Sequence, residues 1–283
     1  MRDLDPTLRK MIEKAFPTRS GNIHYWVSGN FDKERRTLVL LPGLTADHRL
    51  FDKQIEYLEP LFNLFVWDAP GHASSFPFEP NFSLADKARW LDGILASEGI
   101  DRPVIVGQSM GGYVGQVYCE LFPDKPAGFV SIDSAPLQRH YMTKAEIWML
   151  KHTEGIYRAY PWKALVRDGA NGCAETEYGR KLMADMMHEY DGAPERYVKL
   201  VSQGYRMLAE AIEADLRCEI KCPAILICGE KDKAGSAKAY NKKWAKETGL
   251  PLYMVPGAGH NSNTDAPDEI NRLISGFLGR LKA

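Results

Sequence analysis

Ser109 stands among glycines in Gly107-Gln108-Ser109-Met110-Gly111-Gly112, where an apolar run beginning at Pro103 gives way to a helical pattern over 110–122. The pattern is G-x-S-x-G with a strand before it and a helix after it, the context in which a serine hydroxyl is raised for nucleophilic attack. The glycines have mechanical reasons. Gly107 and Gly111 remove bulk beside a strained turn, and Gly112 lets the helix pack closely. The helix N-terminus adds backbone N–H groups and the positive end of the dipole. Glycine-rich strand–helix turns also bind phosphate, but the chain has neither G-x-G-x-x-G nor G-x-x-x-x-G-K-[ST], which weakens a nucleotide reading. A serine that only closes a tight turn is the plain alternative.

A serine nucleophile needs a base, and the base needs an acid to orient it. His260 lies in "PGAGHNSN", just past the last apolar run, where small residues leave the imidazole room to reach. Asp232 lies in "ICGEKDKAGS", at the end of the preceding run. Both fall at carboxyl ends of expected strands, as Ser109 does, and open α/β sheets carry their sites along that edge. Asp133, at the end of "VSIDS", is a rival for the acid. Asp68 and His72 read as residues that fix a turn.

The elements that must position these groups follow from hydrophobic pattern. The runs 37–43, 63–71, 103–109, 128–134, 223–232 and 250–259 are near-continuously apolar, as expected of strands buried on both faces of a parallel sheet. Helical patterns at 48–61, 83–99, 110–122, 236–248 and 265–281 alternate with them, so the fold class is α/β with a mostly parallel central sheet covered by helices on both faces. "GNIHYWVSG" (21–29) suits an antiparallel edge strand. Residues 1–16 read as a short amphipathic helix with Leu4, Leu8, Met11, Ile12 and Ala15 on one face. The rhythm breaks over 135–220, a helical stretch rich in Met, Trp and Tyr, which divides the chain into a core of 1–134 and 221–283 and an inserted helical region.

The 283 residues are 45% hydrophobic and 26% charged, with formal net charge −1 and no long run of one sign. That is a globular composition without the electrostatic footprint of a nucleic-acid or anionic-membrane binder. No apolar run reaches a membrane span, and the charged N-terminus is a poor secretory signal. Five cysteines without framework spacing suggest free thiols in the cytoplasm. Cys218 and Cys222 are four apart, with no second pair to complete a zinc site.

Taken together, five segments in order resemble the α/β-hydrolase fold superfamily over nearly the whole chain. "LLPGLTADHRLF" is similar to its loop after the third strand, "VWDAPGHASS" to its Asp-x-x-Gly-His-x-x-Ser turn, "GQSMGG" to its nucleophile elbow, "GEKD" to its acid turn and "GAGH" to its histidine loop. The resemblance implies Ser109 as nucleophile, His260 as general base and then acid, and Asp232 as orienting carboxylate. It implies the backbone amides of Leu44 and Met110 as the oxyanion hole, 135–220 as a cap, and no metal or organic cofactor. The loop usually reads His-Gly, whereas Pro42 precedes Gly43 here, so its bracing differs.

The expected activity is hydrolysis of a carboxylic ester or lactone on a small, partly apolar substrate through an acyl-enzyme. Carbon–carbon bond hydrolysis of a diketone-type substrate is the alternative; relatives of that kind often share Ser-Met-Gly-Gly but frequently place Trp where Asn261 follows the histidine. A non-catalytic small-molecule receptor on the same fold is the second class. The expected partner is a small-molecule substrate, not nucleic acid or membrane, and the sequence leaves a homodimer open.

Overall fold

A computed structural model describes residues 11–281. Among the described residues one eight-stranded sheet runs in the order β1-β2-β4-β3-β5-β6-β7-β8. Its strands are β1 (Met11–Thr18), β2 (Gly21–Ser28), β3 (Thr37–Leu41), β4 (Asn63–Trp67), β5 (Val104–Gln108), β6 (Gly128–Ile132), β7 (Ala224–Gly229) and β8 (Leu252–Val255). β2 is antiparallel to both β1 and β4, and every later pairing is parallel.

Alternate residues of each central strand enter opposite cores. Val39 and Leu41 of β3, with Phe65 and Trp67 of β4, join the core beneath α2 (Leu84–Ser97), α3 (Met110–Leu121) and α9 (Ala237–Thr248). Leu38, Leu40, Leu64 and Val66 join the opposite core, under α1 (Asp52–Leu58) and α11 (Pro267–Leu278). Both faces are apolar because both are covered, which is why these strands read as unbroken hydrophobic runs. Ser83 and Asp86 form a reciprocal capping box that starts α2. Gly249, in the left-handed region at φ 74°, ends α9.

Between β6 and β7 the chain builds α4 (Lys144–Lys151), α5 (Glu154–Ala159), α6 (Trp162–Cys173), α7 (Glu177–His188) and α8 (Pro194–Glu213). Leu165, Val166, Met183, Met187, Tyr190 and Tyr197 form a third apolar cluster there, against which Leu44 also packs. The last short helix, α10 (Ser262–Asp265), follows His260.

Two expectations at the N-terminus are corrected. The helix expected over 1–16 lies outside the described residues up to 10, and from Met11 the chain is strand. β1 pairs with β2 in full register, from Met11 opposite Ser28 to Thr18 opposite Gly21. Eight paired residues outweigh a short helical period, a common tertiary override of local pattern. The segment 21–29 is therefore interior to the sheet, and β1 is the edge, where Pro17 is tolerated.

Candidate active site

The turn after β5 puts Ser109 at φ 49° and ψ −117°, outside the usual regions for a side-chain-bearing residue. Its surroundings hold it there. The Ser109 N–H donates to Ile132 O at 2.8 Å, and Ser109 O accepts from Gly112 N at 2.9 Å. A Cβ at Gly107 would stand 2.4 Å from Gly111 O, and one at Gly111 would stand 1.9 Å from Leu41 O. Neither position admits another residue without moving backbone.

Ser109 Oγ lies 2.8 Å from His260 Nε2, and His260 Nδ1 lies 3.1 Å from each carboxylate oxygen of Asp232. With Nδ1–H donating to Asp232, the Nε2 lone pair faces the serine hydroxyl. The Asp232 carboxylate is fully buried, and 15% of the His260 side chain is exposed. Burial disfavours the imidazolium, but the hydrogen bond and charge of Asp232, with the charge of Asp133, outweigh it and hold His260 above its ordinary 6.5. Ala234 N–H donates to Asp232 Oδ1 at 2.8 Å, which fixes the acid on its own turn.

Asp133 makes no hydrogen bond to the imidazole; its carboxylate accepts from Gly229 N at 2.7 Å and Ser262 N at 2.9 Å. Met110 is the first residue of α3, where an amide has no intrahelical acceptor. Gly43 passes so close to Ser109 that a Cβ would lie 3.2 Å from the serine Cβ, so the Gly43 backbone runs beside the Ser109 side chain. The Leu44 side chain packs on α8, where a Cβ at Gly204 would meet it at 2.3 Å.

Several contributing residues had only weak sequence signals. Gln108 Nε2 donates to His260 O at 2.8 Å and to Asn261 Oδ1 at 3.2 Å. Asn261 N–H donates to Cys173 O at 2.7 Å. Asp265 accepts from Gly259 N, Glu175 N, Thr176 N and Thr176 Oγ1 at 2.8–3.0 Å. The histidine loop is thus tied both to the serine turn and to the link between α6 and α7. Gln108 occupies a variable position of the motif, and Asp265 lies in a stretch that reads as surface helix. Asp68 accepts from Ser74 N and His48 N at 2.9 Å, and His72 donates from Nδ1 to Pro70 O, so both brace the turn after β4.

Among the described residues two sets of donor atoms lie close enough to hold an ion, Asp47-His48-Asp68 and Asp133-Cys228-Asp232. Their carboxylates are already engaged, Asp47 by Arg49, Asp68 by His48, Asp133 by two amides and Asp232 by His260.

A family model, that of the "Alpha/beta hydrolase family", matches residues 38–273. The chain belongs to this family. Similar proteins include a 2-(acetamidomethylene)succinate hydrolase of Mesorhizobium japonicum, 22% identical and covering 85% of this chain and 87% of its own length. The human serine hydrolase BPHL is 24% identical, covering 90% of this chain and 82% of its own. Among solved structures, an enol-lactonase from Burkholderia xenovorans superposes with a TM-score of 0.73 at 22% identity, over 94% of this chain and 100% of that one. The protein is an α/β-hydrolase-family enzyme, a hydrolase. No helix of the described residues is long and apolar enough to cross a membrane.

Proposed function

We propose that this hydrolase is a serine enzyme that cleaves a carboxylic ester or lactone through an acyl-enzyme, with Ser109 as nucleophile, His260 as base and then acid, and Asp232 as orienting carboxylate. One observation carries the reading: a continuous chain of hydrogen-bonding distances from Ser109 Oγ through both ring nitrogens of His260 to Asp232. Ser109 Oγ attacks the acyl carbonyl while Nε2 takes its proton. Charge on the former carbonyl oxygen is met by the amides of Leu44 and Met110, each such donor being worth about 3–4 kcal/mol in the transition state. The leaving alkoxide takes the proton from His260. Water, deprotonated by the same imidazole, then attacks the acyl carbon and frees Ser109.

The helices α4–α8 serve in this reading as a cap over 135–220, and the substrate is small and partly apolar. The third apolar cluster supports this. Its Met183 Sδ lies 3.9 Å from Asn261 Nδ2, and the Cys173 carbonyl holds the Asn261 amide, so the thioether of that cluster reaches the residue next to the histidine. The relative named as a 2-(acetamidomethylene)succinate hydrolase supports hydrolytic chemistry at this site. Five free thiols among the described residues suit work in the cytoplasm.

A fluorophosphonate probe tests the reading. Labelling at Ser109 is expected, with Ser109→Ala removing both labelling and nearly all hydrolysis of short-chain p-nitrophenyl esters. Wild-type rates in that folded variant would refute the nucleophile. Screening esters of graded chain length, lactones and a vinylogous diketone separates ester from carbon–carbon cleavage.

A further inference from the structure

Asp133 is a buried carboxylate beside the site that the reaction leaves unused. It follows β6, the strand between the one that presents Ser109 and the one that leads to Asp232. Its backbone is in the left-handed region at φ 49°, a costly conformation for a residue with a side chain. Its N–H donates to Ile227 O at 2.9 Å, which fixes the residue against β7.

The side chain is a bridge between two segments. Oδ1 accepts the Gly229 amide at 2.7 Å and Oδ2 accepts the Ser262 amide at 2.9 Å. Gly229 closes β7, and its own carbonyl accepts the Asp232 N–H at 3.1 Å. The grip on Gly229 therefore passes through one peptide unit to the acid. Ser262 stands two residues after His260 and opens α10, so its amide has no acceptor within that helix. When the carboxylate is ionised, both bonds take the charge-assisted form that shortens and strengthens an N–H contact. Asp133 thus accepts backbone amides from both the acid segment and the histidine segment without touching the imidazole.

From this juxtaposition the geometry points to Asp133 as a positioning residue, one carboxylate that sets the spacing between the Asp232 turn and the His260 loop. The inference rests on the serine-hydrolase reading. It also explains why a second acid occupies a position where it does not touch the imidazole. The titratable groups facing it are His260 from the histidine loop, Asp232 from the acid turn and Cys228 from β7, with donor atoms of Asp133, Cys228 and Asp232 mutually within 4.8 Å. Burial, then the charge of Asp232, push its carboxyl up to about 7 against the opposing pull of His260 and the two amides.

The test compares Asp133→Asn and Asp133→Ala with wild type and with Ser109→Ala, reading kcat, KM and the pH profile on one p-nitrophenyl ester, with near-UV circular dichroism as the check of folding. Asn keeps one acceptor and turns an NH2 toward the other amide. It should lower kcat about 10-fold with KM within 2-fold, because a small misplacement of acting groups is felt in the chemical step. Ala should lower kcat further, and both should move the acid limb of kcat/KM downward, by less than Asp232→Asn does, since Asp133 holds His260 up only in the fraction that is ionised near pH 7. A folded Asn variant with wild-type kcat and an unmoved acid limb overturns the inference while Ser109→Ala stays inactive. If Ser109→Ala is active, the serine reading fails and the inference fails with it. Should Ala not fold, the near-isosteric Asn variant decides alone.

Discussion

At the scale of single residues, the proposed acid and base divide their work by environment. Asp232 is shut away from water and bonded to one imidazole nitrogen, so its charge is spent on stabilising the imidazolium. That raises His260, and only the neutral imidazole can take the serine proton. Activity should therefore fall as pH drops through a midpoint above 6.5. Asp232→Asn removes the charge and should bring the midpoint down while lowering kcat by roughly 10³-fold to 10⁴-fold, as expected when the orienting acid of a triad is lost. A pH–rate profile of both proteins checks the sign. An unchanged midpoint would mean that another group sets it.

At the scale of elements, α2 contains a residue that works against its own folding. Lys87 is buried, with its ammonium 5.6 Å from the centroid of the Phe82 ring and no ion pair or hydrogen bond among the described residues. Burial pushes it down to about 8 from 10.5. The unfolded chain takes up that proton more readily, so stability is highest above about 10.5 and is lost as pH falls toward 8. At neutral pH the lysine is thus a net cost, and Lys87→Met should stabilise the fold by about 2–4 kcal/mol, measured by urea denaturation. Loss of stability on that change would reveal an anionic partner for the amine. His72, repelled by the same lysine and buried first of all, is pushed down to about 3 and stays neutral. The helical reading of 11–16 failed at this same scale, because the partner strand lies after a turn that a local window treats as a boundary.

At the scale of the whole molecule, the histidine loop is where the sheet and the helices between β6 and β7 meet. Asp265 accepts N–H groups from Gly259 on one side and from Glu175 and Thr176 on the other. Removing such an acceptor leaves several donors unsatisfied at once, each costing about 1–3 kcal/mol when buried. Asp265→Ala should therefore lower stability by at least about 2 kcal/mol and reduce kcat more than a surface change would. Thermal unfolding and ester kinetics on one preparation measure both. Wild-type values in each would show the link to be dispensable.

The mostly parallel sheet and its covered faces were legible in the sequence because they depend on local pattern, unbroken apolar runs alternating with helical ones. The candidates for the proposed triad stood out through the glycines that a strained turn requires and a histidine and an aspartate at strand ends. The order of the strands, with β1 rather than 21–29 at the edge, was not legible. The choice of Asp232 over Asp133 rested on the resemblance of the "GEKD" turn, since residue pattern alone leaves both closing strands on the same edge. Only the folded chain sends one carboxylate to Nδ1 and turns the other to two backbone amides. The bracing by Gln108 and Asp265 was equally hidden. Their partners lie 152 residues away at His260 for Gln108 and 90 residues away at Glu175 for Asp265, and hydrogen bonds across such separations exist only once packing has brought the segments together.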